Sequence, residues 1–328
     1  MVLINRITRQ REFMIFVVII IMFVAMSLAS PIFLTRSNLL SMLLAMSVEV
    51  LIGVAMVNLL VSGGFDLSVG SVVAFIGATV AVLMRAGVPI PIAVLIGLSI
   101  GALVGTINGV IVAKLGINAF VTTLAGLSLY RGLTLIVTQG RNIAPLPVEY
   151  TAIGQTVLLG IQSPIWFALF FVVIGDILLR KSRFFRQNYY IGGNEKAARL
   201  SGIQVDKMKI FNYMLCGLFA ALAGIILSAR FGSASTTVGV GMELRVITAV
   251  IIGGASLQGG EGTVLGVFFG SLLMAIITNA LTLLGVNVYW HTFVIGATLL
   301  TAVIIDRYGR LRREKKAFVD SESKPQPQ

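Results

Sequence analysis

Nine apolar runs constrain this chain more than any other feature: 14–30, 39–61, 68–84, 90–113, 119–138, 164–179, 209–229, 263–284 and 288–305. A membrane-spanning helix needs about 20 consecutive apolar residues, with a lower limit near 17. A tenth run, 244–255, has 12 residues and lies between glycine-rich stretches. That length suits a broken or tilted span. Only 12% of the 328 residues are charged and 57% are hydrophobic, with mean hydropathy +0.98. Soluble domains carry about one quarter charged residues. The pattern predicts an all-α, polytopic membrane helical bundle of about ten spans forming one domain over 1–328. Broken or short helices are expected near 62–68 and 244–262.

Charge fixes the orientation. The net charge of +12 first suggests nucleic acid, but the basic residues concentrate on one side of the predicted membrane. With ten spans and the N-terminus inside, 19 of the 25 Lys and Arg fall in inner segments and five in outer ones: Arg36, Arg85, Arg141, Arg230 and Arg245. Arg131 falls within a span. This is the positive-inside distribution, and it places both termini in the cytoplasm with no role for nucleic acid. The run after Arg11 resembles a signal-peptide core, but its length favours a retained first helix. The loop 139–163 is polar, contains two prolines and has room for a short helix. The basic tail, 307–328, reads as a lipid-touching, partly disordered segment. One cysteine, Cys216, and one histidine, His291, provide neither a disulfide framework nor a usual metal site.

Two segments share a pattern, VSGGFDLSVG (61–70) and IIGGASLQGG (251–260). Each joins an apolar run to a glycine pair, then a small or acidic residue, leucine and more glycine. Both fall toward the cytoplasmic side and hint at an internal repeat. Gly63, Gly64, Gly253 and Gly254 permit a hinge or a tight hairpin. Asp66 has three readings. It can N-cap a helix beginning near Leu67, pair with a basic group, or bind a hydroxyl or a proton; capping is favoured. Ser68 either assists that cap or lies on the pathway. Glu49, inside LLAMSVEVLIGVAM, is an intramembrane carboxylate and so a functional candidate. It faces the translocation path or sits neutral and hydrogen-bonded. Asn58, Asn108, Asn118 and Asn279 bind hydroxyls weakly or hold helices together. Asp176 and Arg180 form an i, i+4 pair. Glu243 and Arg245 flank an outer break. Small residues in GALVGTING (101–109) suit close helix packing.

The inner segment 180–209 is unusually organised. Gly192 and Gly193 read as a turn, Asn194 as an N-cap, and EKAARLSG, with Ala197, Leu200 and Ser201, as about two helical turns from Glu195 with Gly202 as the stop. Ala197, Ala198, Leu200 and Ile203 are its small and apolar contact points. A short helix of this kind inserts into a groove on another protein or serves as a solvated connector.

Four blocks carry a family resemblance: GGFDLSVGSVVAF (63–75), NAFVTTLAGLSLYRGL (118–133), IGGNEKAARLSGI (191–203) and ITAVIIGGASLQGGEGTVLG (247–266). In this order they resemble the ribose-type permease subunits of bacterial ATP-binding-cassette (ABC) sugar importers. Asn118 stands where that family commonly has proline, and Ala125-Gly126 replaces Gly followed by a small residue. The resemblance implies alternating access driven by a separate cytoplasmic ABC ATPase. It also implies a second permease copy or paralogue, and a periplasmic or lipid-anchored sugar-binding protein. The helix 194–202 becomes the element that couples to the ATPase. No GxxxxGK[ST] motif is present, so ATP and Mg belong to the partner, and the chain is expected to bind no cofactor and to catalyse no reaction. A branched-chain amino acid permease, an ion-coupled secondary transporter using Glu49 and Asp66, and a membrane anchor are the competing readings.

Overall fold

A computed structural model describes the backbone of residues 2–322 and the side chains of residues 13–308. The chain forms thirteen helices among these residues: α1 Val2–Ala29, α2 Arg36–Val61, α3 Val69–Arg85, α4 Ile90–Ala113, α5 Ala119–Thr138, α6 Val148–Gln155, α7 Ser163–Lys181, α8 Arg183–Gly193, α9 Glu195–Leu200, α10 Val205–Phe231, α11 Met242–Ile252, α12 Val264–Leu283 and α13 Val288–Glu322. One minimal antiparallel pair, β1 Val157–Leu158 and β2 Ile161–Gln162, lies in the loop after α6. Seven helices are long and apolar enough to cross a membrane: α2, α4, α5, α7, α10, α12 and the Val288–Tyr308 part of α13. Phe13–Ala29 and α3 are shorter apolar helices. The bundle is all-α and polytopic, and each apolar run of the sequence appears as a helix.

The centre is built on α2. Every residue from Val50 to Val61 is buried, as expected of a helix that is apolar on all faces. Around it pack α7, α10, α11 and α12, with α3 and α4 against α10, and α1 against α12. The closest of these contacts is α4 on α10. Gly101, Gly105 and Gly109 form one stripe at i, i+4, i+8 facing α10, and Gly217 answers from the other side. A Cβ at Gly105 would collide with the Tyr213 carbonyl, and one at Gly217 with the Gly101 carbonyl. Small residues let the two backbones approach where lipid offers no hydrophobic drive for association. The expected packing role of 101–109 is met.

One expectation is corrected. Segment 180–209 is not a loop with one helix: α8 precedes α9, and Gly192 and Gly193 are its last helical residues rather than a turn. They close a helix because Gly192 meets backbone, lying against the Val61 carbonyl and Gly259–Gly260, where no side chain fits. The basic segment after Asp306 continues α13 as helix through Glu322, consistent with its run of strong helix formers. The expected disorder at the extreme end, 323–328, falls outside the described residues.

Gly105→Val should lower thermal stability in detergent by about 1–3 kcal/mol, because the Tyr213 backbone cannot retreat without parting α4 from α10. Gly132→Ala, with open space at its Cβ position, should be neutral or stabilising by up to about 1 kcal/mol. Melting curves of the purified variants measure both.

Candidate functional site

Both glycine breaks and the α8–α9 element meet at one end of the bundle. After α2, Gly63 adopts φ 84°, with its N–H donating to the Leu60 carbonyl and Gly64 N–H to the Leu59 carbonyl. After α11, Gly254 adopts φ 93°, and Gly254 and Ala255 donate to Ile251 and Val250 in the same way. Each helix thus ends in a Schellman-type cap on a left-handed glycine. Beyond the cap, Ser68 N–H donates to Asp66 Oδ1 at 2.8 Å and Gln258 N–H to Ser256 Oγ at 3.3 Å. The sequence repeat is therefore also a geometric one. The caps are offset by one residue, since Gly63 is the first of its pair and Gly254 the second. The two breaks touch directly, Gly260 N–H donating to the Val61 carbonyl at 2.8 Å.

Asp66 lies inside this end, 1% exposed. It does not occupy the N-cap position near Leu67. The helix begins at Val69 and its N-cap residue is Ser68, whose own side chain makes no capping bond. Asp66 instead closes an Asx-type turn one step earlier, accepting from Ser68 N–H and, at 2.6 Å, from Ser68 Oγ–H. Asn108 of α4 donates to Ser68 Oγ at 3.0 Å, and Tyr130 of α5 donates to Asn108 Oδ1 at 3.0 Å. Tyr213 of α10 donates to the Phe65 carbonyl at 3.1 Å. Asp66 is thus the origin of a buried chain of hydrogen bonds that ties the first break to α4 and α5. Asn118 N-caps α5, accepting from Phe120 N–H at 2.8 Å, and its side chain stands outside this chain of bonds.

The helix α8 seats on both breaks. Asn188, fully buried, exchanges amide hydrogen bonds with Asn212 of α10 and reaches Asn58 of α2. Asn212 donates on to Ser62 Oγ at 3.1 Å. Tyr189 donates to the Gly262 carbonyl at 2.7 Å. Sequence reasoning singled out Asn58 but missed Asn188, Tyr189 and Asn212, because their loop and helix-end positions carry no periodic signal. Asp176 pairs with Arg180 at 2.8 Å and also accepts from Leu265 N–H at 3.3 Å, in the first turn of α12. Asn279 makes a reciprocal amide pair with Asn38, bonding α12 to α2.

Beyond it, α9 is held from beneath. Asn194 caps it, accepting from Ala197 N–H at 3.0 Å, while Gly202 at φ 83° ends it after Ser201. Glu195 accepts from Arg199 at 2.9 Å and from Lys209 of α10 at 2.7 Å, and Arg199 also pairs with Asp206. Burial alone would raise the Glu195 carboxyl, but the bonds from Lys209 and Arg199 outweigh it and hold it below its ordinary range. Ala198 turns inward onto Ile191, Val205 and Met208, so it anchors α9 and is not an outward contact point. Gly193, Ala197 and Leu200 face outward, Leu200 being 90% exposed.

Glu49 has a partner far along the sequence. Arg245 donates to it through Nε at 2.6 Å. Glu49 lies near the middle of α2, about 20 Å from either end at 1.5 Å per residue, so Arg245 is not in an outer loop but at mid-depth. It reaches there because α11 is only 11 residues long and begins inside the bundle.

A profile of the family described as branched-chain amino acid transport system / permease component matches residues 38–303. The chain belongs to this permease family. It is 39% identical over 297 residues to the ribose import permease protein of Haemophilus influenzae, covering 89% of this chain and 92% of the relative. It is 41% identical over 295 residues to that of Bacillus subtilis, covering 89% and 91%. The L-arabinose transport system permease protein of Escherichia coli is 39% identical over 292 residues, 89% of each chain. No solved structure matches. The resemblance carried by the four sequence blocks is met across nearly the whole permease.

Asp66→Asn keeps an acceptor for Ser68 and should retain fold and stability within about 1 kcal/mol, whereas Asp66→Leu strands the Ser68 donors and should cost about 1–3 kcal/mol. Thermal unfolding in detergent reads this. Glu49→Ala and Arg245→Ala should each destabilise strongly, with the double variant less unstable than the sum by about 0.5–3 kcal/mol; a double-mutant cycle measures that coupling.

Proposed function

We propose that this chain is the membrane-spanning permease subunit of an ABC importer for a pentose or closely related monosaccharide. The observation that carries this reading is the match over about nine-tenths of the chain to relatives named as ribose and L-arabinose permeases. The family description mentions branched-chain amino acids, but these relatives and the GGFDLSVG block favour sugar. The protein would work as a pair of permease copies, or with a paralogue. A periplasmic or lipid-anchored binding protein would deliver solute, and a cytoplasmic ATPase would supply ATP and Mg chemistry. Both termini would face the cytoplasm of a bacterial inner membrane, since that orientation places most of the basic residues inside.

The layout of the inner end suits energy transfer. The outward face of α9, with Leu200 exposed, would enter a groove on the ATPase. Movement imposed there passes through Ala198 and the Glu195–Lys209 bond into α10. Through Asn188 and Tyr189 of α8 it reaches both glycine breaks. A push on one short helix therefore bears on α2 and α11 together, the two helices whose ends must move for a path to open. Solute selection can rest with the binding protein, so the path itself needs only weak sites.

Proteoliposomes holding the chain with its cognate ATPase and binding protein should accumulate labelled ribose or arabinose only with internal ATP. Uptake driven by an ion gradient without ATP, or of leucine in preference to sugar, would overturn the assignment. Leu200→Glu should abolish ATPase co-purification and reduce uptake by roughly tenfold or more, the loss expected of a buried apolar anchor, while melting temperature stays unchanged.

A further inference from the structure

The stretch 232–241 is irregular backbone at membrane depth. It leaves the end of α10 at Gly232 and reaches α11, whose Arg245 meets Glu49 at the middle of α2. Along the way, Gly239, at φ 77°, lies against the backbone of Gly70 at the start of α3. Backbone N–H groups meet the carbonyls of Gly232, Ala234, Ser235, Gly239 and Gly241 but not those of Thr236 and Val238, and each unsatisfied one in an apolar bilayer costs several kcal/mol. Arg131 of α5 meets that need. Its Nη1 donates to the Thr236 carbonyl at 2.8 Å and to the Val238 carbonyl at 2.9 Å. Arg131 lies seven residues before the end of α5, about 10 Å along the helix, and so carries a charge into the bundle that lipid alone would disfavour.

The stretch also roofs an open space. A cavity of about 310 Å³ separates it from α3 and α10, with Gly77, Ser228, Ser235 and Val238 on its walls. At its outer end the stretch is fixed by paired bonds between Ala234 and Ile143, by Leu146 N–H on the Gly232 carbonyl, by Ser233 N–H on the Ser228 carbonyl and by Thr236 N–H on Asn142. A segment with few packed side chains, left-handed glycines at both ends and empty space beneath it can move without unfolding a helix. Carbonyls released toward the outer aqueous side regain hydrogen bonds from water, so release costs little.

We propose that Arg131 is a positioning residue that latches stretch 232–241 over this cavity as the outer gate of the transport path. Opening the gate breaks its bonds to the Thr236 and Val238 carbonyls. The gating role rests on the permease reading; the latch itself does not.

Val238→Cys provides the probe, because Cys216, the native thiol, is buried in α10. Labelling by a membrane-impermeant maleimide is followed on the purified chain in vesicles, with no solute or partner. Arg131→Gln should speed labelling by about tenfold or more, and Arg131→Lys, which keeps the charge but loses the guanidinium fork, should fall between. Unchanged labelling in both variants would overturn the latch. If Arg131→Gln does not accumulate, Arg131→Lys decides the point, a rate equal to that of the parent counting against it. In a second arm the Val238→Cys chain with native Arg131 is assembled with ATPase and binding protein and labelled with and without ATP. A several-fold rise during turnover supports the gate. A rate independent of ATP, with ATP still being hydrolysed, reduces Arg131 to a static staple and overturns the gating role. Failure of sugar uptake alone leaves the first arm standing and counts against the permease assignment only.

Discussion

Backbone that leaves its helix inside a bilayer must find hydrogen bonds within the protein, and this requirement organises the molecule. It arises three times here, at 62–68, at 253–263 and at 232–241. The first two breaks share one solution. They lie against each other, with Gly260 N–H on the Val61 carbonyl, and a third element, α8, closes over them through Asn188 and Tyr189. In the third, local backbone bonds meet most of the carbonyls and one guanidinium meets those of Thr236 and Val238.

Glycine makes the shared solution possible for two different reasons. At Gly63 and Gly254 a positive φ reverses the chain so that helix-end carbonyls are used. At Gly192 no unusual angle is needed; the space is simply taken by backbone of the two breaks. As a result, α8 packs directly on both breaks, and α9 follows it without an intervening loop. Polar side chains extend the contact: the Asp66–Ser68–Asn108–Tyr130 chain reaches α4 and α5, while Asn212 and Lys209 of α10 bond to Ser62 and Glu195. Such bonds have few competitors in a dry interior, so they define discrete arrangements rather than a continuum.

The charged residues of the bundle belong to the same economy. Glu49 with Arg245 and Asp176 with Arg180 are paired within 3 Å, and Arg131 carries carbonyls. Each joins elements distant in sequence or meets the start of a helix.

What the sequence determined by itself was whatever depends on local pattern. Apolar run length placed the helices, since hydrophobic thickness sets a minimum that does not depend on neighbours. Asn194 and Gly202 marked the ends of α9 because capping chemistry is local, and the stripe 101–109 announced a close helix contact. Tertiary structure alone decided the partners. Nothing in LLAMSVEVLIGVAM names Arg245, almost two hundred residues away, and Ala198 reads as an outward contact until Ile191 and Met208 close on it. Gly192-Gly193 resembles a turn by composition and becomes a helix end because backbone from two other segments occupies the place of a side chain. Arg131 looked like an isolated charge in a span. Its role appears only when the chain folds the Thr236 and Val238 carbonyls against it, since a hydrogen bond depends on where both partners end up in space.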